Sequence, residues 1–224
     1  MNYSLILLCA GSGKRTGLKY NKIFYKINNQ TVYEMNISHF LEDNRCKQII
    51  VVTKENEIDD IRTLVNDSRI EYVFGGKERQ DSVYEGLQKV KENHVFIHDG
   101  ARPFVTEDII KRTKEVAVTY QACIAGMPSK DTVKIIDENN MVSATPERSR
   151  VWSVQTPQVF LYSLIKEAHD TARSVSMQGI TDDAMVVEQY KNTPVHIVEG
   201  AYENIKITTP EDILVAEKIL EKIL

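Results

Sequence analysis

Tyr3-Ser4-Leu5-Ile6-Leu7-Leu8-Cys9-Ala10-Gly11-Ser12-Gly13-Lys14-Arg15-Thr16-Gly17 is an apolar run that breaks into a glycine-rich, basic loop. The run from Tyr3 to Ala10 is far shorter than the about 20 residues a membrane span needs, and no charged leader or cleavage site frames it. It reads as a buried strand. Working outward, Gln48 to Thr53, Ile70 to Phe74, His94 to His98 and Ala122 to Met127 are further β-rich runs. Several are almost continuously apolar, as strands covered on both faces of a parallel sheet are. Thr31 to Glu42, Glu57 to Val65, Arg79 to Val90 and Thr106 to Tyr120 carry helical periodicity between them. Thr106 suits an N-cap, with Glu107 and Asp108 in the first turn where the helix dipole favours acids. This order predicts an α/β fold with a doubly wound, mostly parallel sheet and right-handed crossovers, whose chemistry sits in loops at the carboxyl ends of the strands.

The alternation breaks after Lys130. Thr132 to Ile136 and Met141 to Thr145 flank the polar turn Asp137-Glu138-Asn139-Asn140 and predict a projecting β-hairpin. Helical patterns return at Tyr162 to Ser174 and Asp182 to Tyr190, followed by a strand near Val195 to Val198. The last helix opens on Thr209-Pro210-Glu211-Asp212, with Thr at the N-cap, Pro at the first position and an acid at the third.

Composition narrows the function. The 224 residues suffice for one large domain, or one carrying a small extra element. With 42% hydrophobic and 27% charged residues, the chain is globular rather than low-complexity. A net charge of −4 supplies no basic field for a nucleic-acid backbone, so a polymeric nucleic acid and a membrane are both set aside as partners. Cys9, Cys46 and Cys123 show neither CxxC pairing nor a His at zinc-ligand spacing; they read as packing residues in a reducing, cytoplasmic protein.

Glycines after the first strand let backbone N–H groups approach phosphate oxygens. Neither GxGxxG nor GxxxxGK[ST] fits this loop, which excludes the dinucleotide fingerprint and the P-loop. Lys14, Arg15, Lys19 and Lys22 crowd it in an otherwise acidic chain. The cluster is either a solvated surface loop or, given the strand before it and its three glycines, a polyphosphate cradle. A second feature is His98-Asp99-Gly100-Ala101-Arg102-Pro103, following the apolar Val95 to Ile97. Asp99 is a candidate Mg²⁺ ligand, since Mg²⁺ takes one or two carboxylates and fills its shell with phosphates and water. The alternative is an Asx-type turn before Pro103. His98 reads as a packing or hydrogen-bonding residue, with no second His at ligand spacing.

Read together with Gly75-Gly76-Lys77-Glu78-Arg79-Gln80-Asp81-Ser82-Val83, Pro128-Ser129-Lys130-Asp131-Thr132, Val154-Gln155-Thr156-Pro157-Gln158, Ile180-Thr181-Asp182-Asp183-Ala184 and Asn204-Ile205-Lys206-Ile207-Thr208, these stretches resemble the 2-C-methyl-D-erythritol 4-phosphate cytidylyltransferases of the non-mevalonate isoprenoid pathway. The resemblance spans nearly the whole chain. It implies one Rossmann-like nucleotidyltransferase domain over residues 1–224 with a β-arm inserted at about 131–152. It also implies that Ala10, Gly11, Gly13, Gly76 and Ser82 bind CTP, that Arg15 and Lys22 bind its triphosphate, that Lys206 lies near the α-phosphate, and that Asp99 binds Mg²⁺. The sugar-alcohol phosphate would meet Arg102, Thr132, Arg148 and Thr156. Thr132 and Arg148 come from the arm, and a second subunit could supply them if the protein is a homodimer whose arms clasp, as is usual in the family.

The family usually has Ala-Ala-Gly where Cys9-Ala10-Gly11 stands, Met at Thr16, and Pro-Lys-Gln where Asn21-Lys22-Ile23 stands. Losing the proline removes a fixed φ before Lys22, so a looser empty loop is expected. No role for Thr16 is legible. As for mechanism, a phosphate monoester with its second pKa near 6 attacks already ionised, so no general base is required. Arg15, Lys22 and Lys206 would then stabilise charge building on the α-phosphate while pyrophosphate leaves in line. Two rival readings stand beside this one: a ribitol-5-phosphate cytidylyltransferase, and a CTP-binding module without turnover.

Overall fold

The computed structural model describes residues 1–11, 13–175 and 179–223, and the Lys14 side chain also lies outside the description. The chain runs β1 (Tyr3–Leu8), β2 (Lys26–Ile27), β3 (Gln30–Thr31), α1 (Val32–Glu42), β4 (Cys46–Thr53), α2 (Ile58–Leu64), β5 (Ile70–Phe74), α3 (Arg79–Leu87), β6 (His94–Asp99), α4 (Glu107–Tyr120) and β7 (Ala122–Pro128). It continues through β8 (Ile135–Ile136), β9 (Val142–Ala144), β10 (Trp152–Leu161), α5 (Tyr162–Ser174), α6 (Asp183–Lys191), β11 (His196–Glu199) and α7 (Pro210–Ile223).

A seven-stranded sheet in the order β11-β7-β10-β6-β1-β4-β5 forms the centre. Its pairs are parallel except the two that β10 makes with β6 and β7. Period-two alternation divides β1 between two cores. Leu5 and Leu7 pack with Tyr33, Ile37 and Phe40 of α1 and Ile109 of α4, while Ile6 faces Val83 and Leu87 of α3 and joins the cluster holding Ile165 of α5 and Val186 of α6. Burial on both faces explains the unbroken apolar character of this strand. The helices α4 and α7 start where Thr106 and Thr209 predict, and α1 carries a cap as well. Thr31 and Glu34 form a reciprocal capping box on α1, the Thr106 hydroxyl accepts from the Ile109 N–H, and the Asp212 carboxylate accepts from the Thr208 and Thr209 N–H groups at the start of α7.

β10 is the main departure from expectation. Trp152-Ser153-Val154-Gln155-Thr156-Pro157-Gln158 lacks strand alternation and contains a proline, yet it runs antiparallel through the middle of the sheet. A register shift between Val154 and Gln158 absorbs the proline, and the buried polar side chains have assigned partners. Gln158 accepts from the Asp183 and Ala184 N–H groups, and Gln155 donates to the Ala201 carbonyl. The predicted hairpin is present between β7 and β10, but its paired part is short, with only β8 and β9 in register. Asp137 closes its turn by accepting from the N–H groups of Asn139 and Met141, each at 2.9 Å.

Candidate active site

Loops following β1, β4, β5 and β6, together with the segment before α7, enclose a cleft of about 570 Å³ at the carboxyl ends of the parallel strands. Ala10, Gly11, Gly13, Arg15, Lys22, Gly76, Ser82, Asp99 and Lys206 all line it. In the first loop Gly13 takes φ +65°, a region that favours glycine. Thr16 is buried, and its hydroxyl donates to the Gly13 carbonyl at 2.6 Å. That bond gives Thr16 a role its sequence position did not reveal: it closes the loop that carries Arg15. Asn21, expected to leave the next turn loose, is 2% exposed and makes three side-chain hydrogen bonds in place of a ring.

Opposite, the Gly75-Gly76 turn lies against Ala10 in the loop after β1. A Cβ on Gly75 would come within 2.6 Å of the Ala10 Cβ, and one on Gly76 would overlap Asp81. The Ser82 hydroxyl accepts from the Gly76 N–H at 3.1 Å and so fixes the turn from the first turns of α3.

Asp99 stands at the end of β6 among three cations. Lys206 Nζ lies 2.8 Å from its carboxylate, Arg79 Nε 3.3 Å and Arg102 Nε 3.8 Å. Burial alone would raise this carboxyl, but Arg79, Lys206 and Arg102 hold it well below the usual carboxylate range. The turn after Asp99 is closed by its backbone carbonyl, which accepts from the Arg102 N–H at 3.0 Å, so its side chain is free of the Asx-turn role. Arg79 continues the network to buried Asp183 at 2.7 Å. On the other wall, burial, together with the like charges of Lys206 and Arg15, pushes the Lys22 ammonium down to about 8.

A divalent cation fits here only in company. Among the described residues no group of three or more His, Cys, Asp and Glu could hold a metal ion. One strand-end carboxylate beside a cationic cleft does match the Mg²⁺ pattern in which phosphate oxygens supply much of the shell.

Four predicted site residues lie outside the cleft lining. Arg102 turns back to donate to the Asn204 carbonyl at 2.7 Å. Thr156 is 4% exposed, and its hydroxyl accepts from the Asp99 N–H at 3.0 Å while also bonding His98 Nδ1 at 3.0 Å. In this geometry it supports the Asp99 backbone. His98 is buried and pushed down to about 3 by that burial, which matches its hydrogen-bonding reading. Thr132 and Arg148 lie exposed on and beside the arm. The three cysteines are buried and free, as expected.

Sequence reasoning gave no role to Arg79, Asp183 or Lys54, of which Arg79 and Lys54 line the cleft. A signal existed for Arg79: a basic residue at the first position of α3 opposes the helix dipole and calls for a dedicated anionic partner.

The family model described as 2-C-methyl-D-erythritol 4-phosphate cytidylyltransferase matches residues 3–222. A protein of that name from Clostridioides difficile is 44% identical over 224 residues, covering 97% of this chain and 93% of the relative. Another, from Bacillus cytotoxicus, is 44% identical and covers 97% of each chain. Among solved structures, a 4-diphosphocytidyl-2C-methyl-D-erythritol synthase from Anaerococcus prevotii superposes with a TM-score of 0.89 at 34% identity, covering 97% of this chain and 95% of that one. The 2-C-methyl-D-erythritol 4-phosphate cytidylyltransferase of Francisella tularensis gives 0.82 at 30% identity, covering 98% and 100%.

Proposed function

Because the chain belongs to the 2-C-methyl-D-erythritol 4-phosphate cytidylyltransferase family, we propose that it joins CMP from CTP to 2-C-methyl-D-erythritol 4-phosphate, releasing pyrophosphate, in isoprenoid precursor synthesis. The observation that carries the residue roles is the convergence of Arg15, Lys22 and Lys206 on one cleft with a single strand-end carboxylate, Asp99. Such a site binds and polarises phosphates.

The acceptor phosphate is ionised near neutrality and needs no base. Ala10, Gly11, Gly13, Gly76 and Ser82 form the nucleoside and phosphate floor of the cleft. Arg15 and Lys22 grip the triphosphate, and Lys206 answers the charge that builds on the α-phosphate as the acceptor oxygen attacks. Asp99 would hold Mg²⁺, which when bound neutralises triphosphate charge. Lys206 can serve the phosphate only by loosening its pairing with Asp99, so nucleotide binding exchanges one set of ion pairs for another.

For the acceptor, Arg102 adds positive charge from behind Asp99, and Thr156 steadies the Asp99 backbone. Thr132 and Arg148 lie exposed on and beside the arm, and among the described residues their side chains have no hydrogen-bond partner, which supports a homodimer in which a second copy completes the acceptor side. Among the described residues no helix is long and apolar enough to cross a membrane. Three buried free cysteines support a cytoplasmic setting.

The test is pyrophosphate release from CTP and Mg²⁺ with a panel of polyol phosphates. We expect turnover with 2-C-methyl-D-erythritol 4-phosphate. A tenfold higher kcat/KM for ribitol 5-phosphate would overturn the acceptor, and CTP binding without release would overturn catalysis.

A further inference from the structure

Lys22 reaches the cleft with no direct contact holding its ammonium: among the described residues it makes no ion pair or hydrogen bond, Lys206 and Arg15 repel it, and Asp99 and Asp212 attract it only from beyond ion-pair range. Its position must therefore come from its backbone. Two neighbours supply that. Ile23, on one side, is buried in the core beneath α1. Asn21, on the other, uses its whole amide. Its Nδ2 donates to the Cys9 carbonyl at 2.7 Å and to Glu57 Oε2 at 2.8 Å, and its Oδ1 accepts from the Ile23 N–H at 3.4 Å. Glu57 in turn accepts from Lys54 Nζ at 2.7 Å, and Lys54 lines the same cleft. The side chain of Asn21 thus ties the Lys22 turn to the end of β1 and to the segment after β4, two edges of the cleft.

We infer that Asn21 and Glu57 are positioning residues for the reaction: a buried hydrogen-bonded bracket that holds the Lys22 backbone against like-charge repulsion and keeps its ammonium at the triphosphate. The inference rests on the reading of Lys22 given above. Removing this amide costs stability, because it strands the Cys9 carbonyl and the Glu57 carboxylate, and it separately releases the turn that aims Lys22. The backbone at Asn21, φ −65° and ψ 127°, also lies where proline is locked, so the turn's shape can be restored without the bracket's chemistry.

The experiment compares Lys22→Ala, Asn21→Ala, Asn21→Pro, Glu57→Ala and Glu57→Gln in steady-state turnover of CTP with 2-C-methyl-D-erythritol 4-phosphate. A displacement of about an ångström at a reacting group can cost up to 10²-fold, so Asn21→Ala should lower kcat about ten- to a hundredfold with a smaller change in the KM for CTP. Asn21→Pro should recover most of that loss. Glu57→Gln, which keeps an acceptor for Asn21, should likewise recover most of what Glu57→Ala loses. The alkaline limb of kcat/KM should also move upward in Asn21→Ala, because a released Lys22 side chain regains water; a general loss of stability would leave the limb in place. If Asn21→Ala does not fold, the Glu57 pair decides by the same criteria. Folded Asn21→Ala or Glu57→Ala protein with kcat within twofold of the parent and an unmoved limb overturns the bracket, provided Lys22→Ala is inactive. An active Lys22→Ala enzyme instead overturns the role of Lys22, and the bracket with it.

Discussion

The cleft and the arm are built on opposite principles. In the cleft, Asp99 faces Lys206, Arg79 and Arg102, and Arg79 also answers Asp183, so buried charge is compensated within one chain. The arm exposes Ile135, Ile136, Met141 and Val142, each more than half exposed, on a hairpin whose paired part is two and three residues long. A short two-stranded ribbon is marginal on its own. The difference separates the charge network that one chain completes from a hairpin whose apolar residues its own chain leaves exposed.

The sharpest test of the self-contained half is Lys22→Ala. Because the ammonium makes no ion pair or hydrogen bond among the described residues, melting should be unchanged while kcat falls about 10²- to 10³-fold. Steady-state kinetics beside a thermal melt checks both, and a lowered melting temperature would show that Lys22 is structural. Asp99→Asn should act on both readouts. It leaves Arg79, Lys206 and Arg102 facing one another and should cost about 1 to 3 kcal/mol, less than a fully buried pair because Arg79 and Lys206 are partly open to water. Turnover should fall about tenfold or more and require more Mg²⁺; an Mg²⁺ titration matching the parent's would remove Asp99 from the metal.

For the arm the pattern reverses. Replacing Ile136 and Val142 with Asp should change folding stability by less than about 0.5 kcal/mol per site, as exposed substitutions do. It should convert a dimer to a monomer by light scattering and lower kcat/KM for the acceptor about tenfold, with CTP binding intact. An unchanged mass with full activity would detach the arm from assembly.

The smallest effects are pH effects within the cleft. Lys22, held down to about 8, loses its charge as pH rises through that value, so kcat/KM should decline above about pH 8. Asp99 and Asp183 run the other way. Both are held below their ordinary range, so the stability they contribute is complete above the unfolded value of about 3.9 and is lost as pH falls below it. Urea midpoints should drop below about pH 4, and less steeply in Asp99→Asn.

The local features were legible in the sequence because each is set by neighbours in the chain. Nearly continuous apolar runs marked β1, β4 and β7, and cap residues marked the starts of α4 and α7, since burial on two faces and orphan N–H groups leave a short-range imprint. The glycine loop and the strand-end aspartate were legible for the same reason, and both line the cleft. β10 was hidden because its polar residues are satisfied by groups far off in sequence, as where Gln158 caps α6. Arg79 and Asp183, 104 residues apart, become a pair only when α3 and α6 come together on one face of the sheet. The same holds for Asn21, whose loss of a fixed φ is visible in the sequence but whose replacement by bonds to Cys9 and Glu57 is not. The sequence by itself determined most of the elements and placed the glycine-rich basic loop and Asp99 at strand ends. Only the tertiary structure decided which charges neutralise one another and what steadies Lys22, because buried charge and hydrogen-bond pairing are settled by proximity in space.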